Sequence, residues 1–144
     1  MRIRTIGLTI AFLSLALAAD FPTLEPKNLV AQLQAKGATP TLIHVGFPVM
    51  YRGRHIPASL YAGPAAKPEG LDAIKAAVEK LPRSRQIVIY CGCCPFDRCP
   101  NIRPAMALLK QMGFTNVKAL DLPANFAADW VDHGYPVEQG PAAK

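Results

Sequence analysis

The sequence predicts an α/β domain built on a mostly parallel central sheet. Three short apolar runs, at 41–45, 86–91 and 117–120, have the β-branched and aromatic character of buried strands. Segments with apolar residues at helical spacing alternate with these runs, and that order is typical of βαβ units. Ligand chemistry in such folds lies at the carboxyl ends of the strands, so the residues that follow each strand are the first candidates for a site.

The remaining elements are predicted from apolar spacing and from turn-forming residues. Apolar residues recur at helical spacing in four segments: 27–36, 71–81, 102–112 and 125–133. Glycines follow three of these segments and are placed to end the helices, at 37, 113 and 134. The connecting stretches are predicted as an irregular or single-turn segment at 46–53, a short strand at 59–62 and a loop at 63–70.

The first 18 residues are predicted to be a signal peptide. Arg2 and Arg4 give a positive start, an apolar run follows at 6–17, and Ala16-Leu-Ala18 is a small-x-small cleavage site. The apolar run is shorter than the ~20 residues that a membrane span needs, so an uncleaved anchor is the weaker alternative. We therefore expect a periplasmic or secreted protein of bacterial type, with one domain at 19–140, a disordered tail at 141–144, and no membrane association after cleavage.

Charge and composition exclude some classes of function. The chain has a formal net charge of +6, to which the leader contributes two basic residues. Lysines and arginines are scattered through predicted helices and loops, whereas nucleic-acid binding requires a clustered basic stripe. We therefore expect no nucleic-acid partner. The sequence also predicts no cofactor and no resident metal, and the protein is expected to be a monomer.

All four cysteines of the chain lie within nine residues at the end of the strand 86–91. Structural disulfides normally join separate parts of a chain, so this clustering favours chemistry at a site. Cys91 ends the strand and faces the N-terminus of the helix that begins near Ile102, where backbone N–H groups and the helix dipole favour negative charge. The pattern predicts that the pKa of Cys91 is lowered and that its thiolate is a nucleophile.

The order and spacing of these elements resemble the rhodanese-like (sulfurtransferase) domain family over nearly all of the chain after the leader. Thr41-Leu-Ile-His-Val and His55-Ile-Pro-Ala-Ser resemble the family's leading strand and its His-Ile-Pro segment. Gln86-Ile-Val-Ile-Tyr-Cys91 resembles the strand that delivers the catalytic cysteine. Residues 108–117 and 130–137 are similar to the following helix and strand and to the final helix with its Gly-x-Pro-Val ending. The resemblance implies a rhodanese-like fold with helices on both faces of the sheet.

Two features depart from the family pattern. Members commonly have Asp and then Arg near the end of the first strand, where this chain has His44 and Gly46. The loop after Cys91 is also several residues longer than usual, and it carries the other three cysteines. Because this loop shapes the pocket, its length puts the family's usual substrate in question.

On this resemblance Cys91 takes the position of the cysteine that carries a persulfide. Its thiolate would attack the sulfane sulfur of thiosulfate or of a persulfide, and a thiol or other thiophilic acceptor would then remove that sulfur. Gly92 permits a close approach of the backbone, and Asn101 is placed to cap the following helix. The cations nearest to a small sulfur-containing anion are predicted to be Arg98 and Arg103. The substrate-binding residues are predicted to be Gly92, Cys93, Cys94, Phe96, Arg98 and Arg103.

The other three cysteines leave several interpretations open. Cys99 with Cys93 or Cys94 could form a disulfide, or the three could relay sulfur, or they could bind a soft ion such as Zn or Cu(I). The alternative function is therefore a non-enzymatic module that binds a soft metal or serves as a thiol-redox partner. A cysteine phosphatase or arsenate reductase is disfavoured, because its arginine six residues after the cysteine is replaced here by Asp97.

Overall fold

The computed structural model describes residues 21–141, so the predicted signal peptide and residues 142–144 of the predicted tail lie outside the described part. Five strands form one sheet in the order β1-β5-β4-β2-β3, and every pairing in it is parallel. The strands are β1 (Thr23–Leu24), β2 (Thr41–His44), β3 (Leu60–Tyr61), β4 (Ile87–Tyr90) and β5 (Val117–Leu120). The helices are α1 (Pro26–Gln34), α2 (Pro48–Gly53), α3 (Pro68–Val78) and α4 (Ile102–Gln111).

The central strand β4 shows why the sheet is covered on both faces. All four of its residues are buried, and their side chains alternate between two apolar clusters. Ile87 and Ile89 pack in one cluster with residues of α3 and α4, and Val88 and Tyr90 pack in the other with residues of α1 and with Trp130. Burial of each such side chain stabilises the fold by about 1.5–3 kcal/mol. The predicted α/β fold with a parallel sheet is confirmed.

Three elements differ from the sequence prediction. Helix α3 begins at Pro68, inside the segment predicted as loop, because proline fits the first helical turn, where no N–H donor is needed. The segment predicted as a helix at 125–133 contains a π-helical turn, Ala127–Val131, whose Trp130 donates from its indole N–H to the carbonyl of Pro136 at 2.8 Å. Strand β1 was not predicted, because two residues show no periodicity.

The hydroxyl of Tyr90, at the end of β4, holds the connection between α2 and β3 against the sheet. The hydroxyl of Tyr90 accepts the N–H of Ile56 at 3.0 Å and lies 2.8 Å from the hydroxyl oxygen of Ser59. Buried polar groups that are paired in this way keep a connection in one position, since breaking the pair leaves a donor without a partner. The fold therefore presents a rigid edge beyond β4. Within residues 21–141, no helix is both long enough and apolar enough to cross a membrane.

Candidate functional site

The cysteine loop, residues 91–99, leaves the end of β4 and returns to the start of α4. Its first turn depends on Gly92, which has φ of +85°, in the left-handed region that favours glycine. A Cβ at this position would lie 2.5 Å from the Cβ of Phe126, so a side chain has no room there. The carbonyl of Gly92 accepts the N–H of Phe126 at 3.0 Å. These contacts tie the start of the loop to the segment that carries the π-helical turn.

The loop brings its sulfur atoms together. The Sγ of Cys93 lies 3.3 Å from the Sγ of Cys91 and 3.2 Å from the Sγ of Cys94. The Sγ atoms of Cys91, Cys93 and Cys99 all lie within 4.8 Å of one another. All four thiols are free, and the two short separations exceed the ~2.05 Å of a disulfide bond. The disulfide considered from the sequence is therefore not formed in this structure.

The protonation of the pair Cys91 and Cys99 is the reverse of the prediction. The nearby sulfur of Cys99, and then burial, raise the pKa of Cys91. The nearby sulfur of Cys91, together with the backbone of Asn101 and Ile102, lowers the pKa of Cys99. The start of α4 does stabilise a thiolate, but that thiolate belongs to Cys99. The prediction of a lowered pKa at Cys91 is wrong, and Cys91 is only 3% exposed.

Asn101 has a role that the sequence did not indicate. It is fully buried, and its side chain makes no capping hydrogen bond to α4. Its amide Nδ2 instead donates to the Sγ of Cys91 at 3.5 Å, while its Oδ1 accepts the N–H of Ala66 at 2.9 Å. Asn101 therefore links the cysteine to the connection before α3. An asparagine before a helix is most often a cap, so sequence alone could not separate the two roles.

His44 and Gly46, the two departures from the family pattern, both contact the site. The ring of His44 is buried, accepts the N–H of Gly46 at Nδ1 at 3.2 Å, and hydrogen-bonds the backbone of Cys91. Burial lowers the pKa of His44 to about 4, so the ring is neutral at physiological pH. A Cβ on Gly46 would lie 2.7 Å from the Sγ of Cys91. The end of β2 thus fixes both the backbone and the sulfur of Cys91.

A groove of about 440 Å³ opens next to the cysteine loop. Gly92 and Cys93 line it from the loop, and Arg54 supplies a cation from the residues after α2. The other lining residues are Val49, Met50, Gly53, Asn125, Phe126, Ala127 and Val131. Cys91 is not part of the lining, but its Sγ lies 3.3 Å from the Sγ of Cys93, which is. Arg54 was not singled out from the sequence, because it lies far from the cysteines along the chain.

The remaining predicted site residues lie in different places. Phe96 packs against Phe21 with ring centroids 6.4 Å apart. The guanidinium of Arg103 lies 5.7 Å from the centroid of the same Phe21 ring and lines a second groove, of about 460 Å³, with residues of α4 and β5. Arg98 is exposed at the end of a 3₁₀ turn, Phe96–Arg98. The structure therefore groups Gly92 and Cys93 with Cys91, and it directs Arg103 to another groove.

The fold and the loop together define an α/β domain with a cysteine at the carboxyl end of its central parallel strand. A model of the rhodanese-like domain family matches residues 25–122. The chain belongs to the rhodanese-like family. The family assignment made from the order of the sequence elements is thus confirmed, and the cysteine loop lies within the matched residues.

Solved structures show the same fold at low sequence identity. The Alr3790 protein from Anabaena is 23% identical with a TM-score of 0.62, over 81% of this chain and 92% of that chain. The BH2092 protein from Bacillus halodurans is 19% identical with a TM-score of 0.63, over 82% and 77%. Thiosulfate sulfurtransferase from Pseudomonas aeruginosa is 23% identical with a TM-score of 0.60, over 83% of this chain and 20% of that chain. No curated protein matches the chain.

Proposed function

We propose that this protein is a sulfurtransferase that moves sulfane sulfur from thiosulfate or a persulfide to a thiol or other thiophilic acceptor. The carrier is a persulfide on Cys91. The observation that supports this proposal is the position of Cys91 directly after the central strand of a rhodanese-like domain, a fold that is typically that of a sulfurtransferase. Export to the periplasm or beyond remains a prediction from residues 1–18.

The groove beside Cys93 is the proposed place for the donor. Thiosulfate carries two negative charges, and a guanidinium pairs with such an oxyanion through charge-assisted hydrogen bonds. Arg54 lines this groove together with Gly92 and Cys93. The Sγ of Cys91 lies 3.3 Å from the Sγ of Cys93, which lines the groove, so the proposed donor would reach Cys91 past the Cys93 side chain. We therefore assign anion binding in this groove to Arg54.

The nucleophile must first lose its proton, because the nearby sulfur of Cys99 and burial raise the pKa of Cys91. The Sγ of Cys93, 3.3 Å from that of Cys91 and part of the groove lining, is the proposed relay of this proton to solvent. The Cys91 thiolate accepts the Nδ2 N–H of Asn101 and attacks the sulfane sulfur of thiosulfate, which releases sulfite. The new persulfide then gives its outer sulfur to the acceptor, and Cys91 regains a proton. Cys91 is thus the proposed nucleophile, and Asn101 stabilises its thiolate.

Mass spectrometry tests this proposal directly. The reduced, metal-free protein is incubated with thiosulfate, digested, and the peptide with the cysteine loop is fragmented to locate added mass. We expect one additional sulfur atom on Cys91 and the release of one sulfite per chain. Protein with Cys91→Ser is the control and should gain no sulfur. Sulfur added by thiosulfate to the loop of the Cys91→Ser protein would assign the carrier to another cysteine and contradict the proposal.

A second prediction concerns the cation of the groove. Removing the guanidinium in Arg54→Ala should raise the KM for thiosulfate by roughly 10- to 100-fold with a smaller change in kcat, since a charged hydrogen bond to the donor contributes about 1.5–3 kcal/mol. Arg98→Ala is the matched comparison, because the sequence predicted an anion-binding role for Arg98. Steady-state kinetics with thiosulfate separate the two. A larger KM effect for Arg98→Ala would place the donor on the 3₁₀ turn and not in the groove.

A further inference from the structure

We propose that the cysteine loop is also a binding site for a soft d10 cation, Cu(I) or Zn(II), held by the thiolates of Cys91, Cys93 and Cys99. The proposal does not depend on sulfur transfer, because it concerns the geometry of the sulfur atoms. It does share Cys91 with the proposed transfer. A bound ion and a Cys91 persulfide therefore exclude each other.

The spacing of the three sulfur atoms matches the coordination sphere of such an ion. All three lie within 4.8 Å of one another, and the Cys91–Cys93 separation is 3.3 Å. Thiolates bound at about 2.3 Å in a tetrahedral or trigonal sphere are separated by roughly 3.8–4.0 Å. The known limits on these separations therefore differ from those of a bound site by at most about 1 Å. Movements of that size would bring the three thiolates to one ion.

The loop holds the outer two of these ligands on rigid elements. Cys91 follows β4, the central strand, and Cys99 lies three residues before Ile102, the first residue of α4. Both are buried, with 3% and 2% of their surface exposed. Cys93 follows Gly92 in the turn. The backbone at Gly92 packs so closely against Phe126 that a side chain there would clash. A site whose ligands are already fixed loses little conformational entropy when the ion binds.

Donors around the cluster compensate the negative charge of the thiolates. Asn101 donates its amide N–H to the sulfur of Cys91 at 3.5 Å, and Cys99 lies three residues before the first residue of α4. A donor of this kind is the partner that a metal-bound thiolate needs, because it orients the ligand and spreads its charge. The N-terminal end of α4, a helix of ten residues, adds the favourable end of its dipole. The surroundings therefore suit a cluster of thiolates.

The donor set selects for a soft ion. Each atom of the cluster is sulfur, whereas Ca²⁺ and Mg²⁺ are bound through oxygen. The fourth cysteine distinguishes the two candidates: the Sγ of Cys94 lies 3.2 Å from that of Cys93 and is half-buried. Zn(II) prefers four ligands and would recruit Cys94, whereas Cu(I) is satisfied by three thiolates. Loss of Cys94 should therefore weaken Zn(II) binding and leave Cu(I) binding almost unchanged.

The test is a titration of the reduced full-length protein, without oxygen, with Zn(II) or Cu(I) against a coloured chelator. We expect one ion per chain, and X-ray absorption should show only sulfur neighbours at about 2.3 Å. Cys93→Ser and Cys99→Ser should each lower the affinity for both ions by about tenfold or more. Cys94→Ser is the matched comparison and should lower the affinity for Zn(II) alone.

Three results would overturn the site: fewer than half an ion per chain, oxygen or nitrogen neighbours in place of sulfur, or unchanged affinity in Cys99→Ser. Should Cys99→Ser fail to fold by circular dichroism, the stoichiometry and the neighbours in the wild-type protein decide the question. These readouts do not involve sulfur transfer. Persulfide formation in the metal-free protein tests the proposed activity separately, so either proposal can fail while the other stands.

Discussion

Serine in place of Cys91 should abolish sulfur transfer, and we expect the kcat of Cys91→Ser to fall about a thousandfold or more. A serine hydroxyl is far less acidic than a thiol, and it cannot carry sulfane sulfur as a persulfide. Serine is close in size to cysteine, so the packing between β4 and α4 should remain nearly intact. Transfer from thiosulfate to an acceptor thiol is measured by the appearance of sulfite, with circular dichroism to confirm the fold.

The other cysteines supply the comparison that makes this result specific. Cys99→Ser should weaken transfer much less, because Cys99 lies beside Cys91 in the buried cluster but does not carry the sulfur. Cys94→Ser should only weaken transfer, since Cys94 lies beyond Cys93 from the nucleophile. Equal losses in all three variants would contradict the separate roles. Full activity in Cys91→Ser would move the persulfide to another cysteine.

The central part of the fold follows from local sequence patterns. β5 was predicted with its observed bounds, Val117–Leu120, and the strand that became β4 differs by one residue at each end. In these two strands the apolar residues of the sequence are the residues that are buried in the sheet. The start of α3 was missed because its first turn is Pro68, Glu69 and Gly70, whose composition is typical of a loop. Glycine is required at position 70 because an added Cβ would clash with the carbonyl of Pro64.

The candidate site was predictable in position and not in electrostatics. The end of an apolar strand placed Cys91, and strand ends in parallel sheets share one edge. The charge, however, depends on how the loop returns, because only folding brings Cys99 within 4.8 Å of the sulfur of Cys91. Arg54 and Asn101 depend on the same three-dimensional contacts. The spacing of residues along the chain does not predict which side chains from other elements will lie next to Cys91.

Gly46→Ala should disable the site through one methyl group. The added Cβ would lie 2.7 Å from the Sγ of Cys91 and 3.0 Å from the Cε1 of His44, both closer than van der Waals contact allows. His44 cannot retreat freely, since its ring is buried and hydrogen-bonded to the backbone of Gly46 and Cys91. The sulfur of Cys91 must therefore move. A displacement of about 1 Å at a reacting atom costs roughly a hundredfold in rate.

We expect transfer by Gly46→Ala to fall by roughly ten- to a hundredfold, and its free energy of unfolding to fall by about 1–3 kcal/mol through overpacking. Urea unfolding measures the second quantity, and sulfite release measures the first. Gly53→Ala is the matched control for stability, because a Cβ there meets nothing within 4 Å. Wild-type transfer in Gly46→Ala would show that the sulfur beside Gly46 is not the one that reacts. Gly46 stands where family members commonly have arginine. The cysteine loop requires glycine there, since the end of β2 must leave space for the sulfur of Cys91.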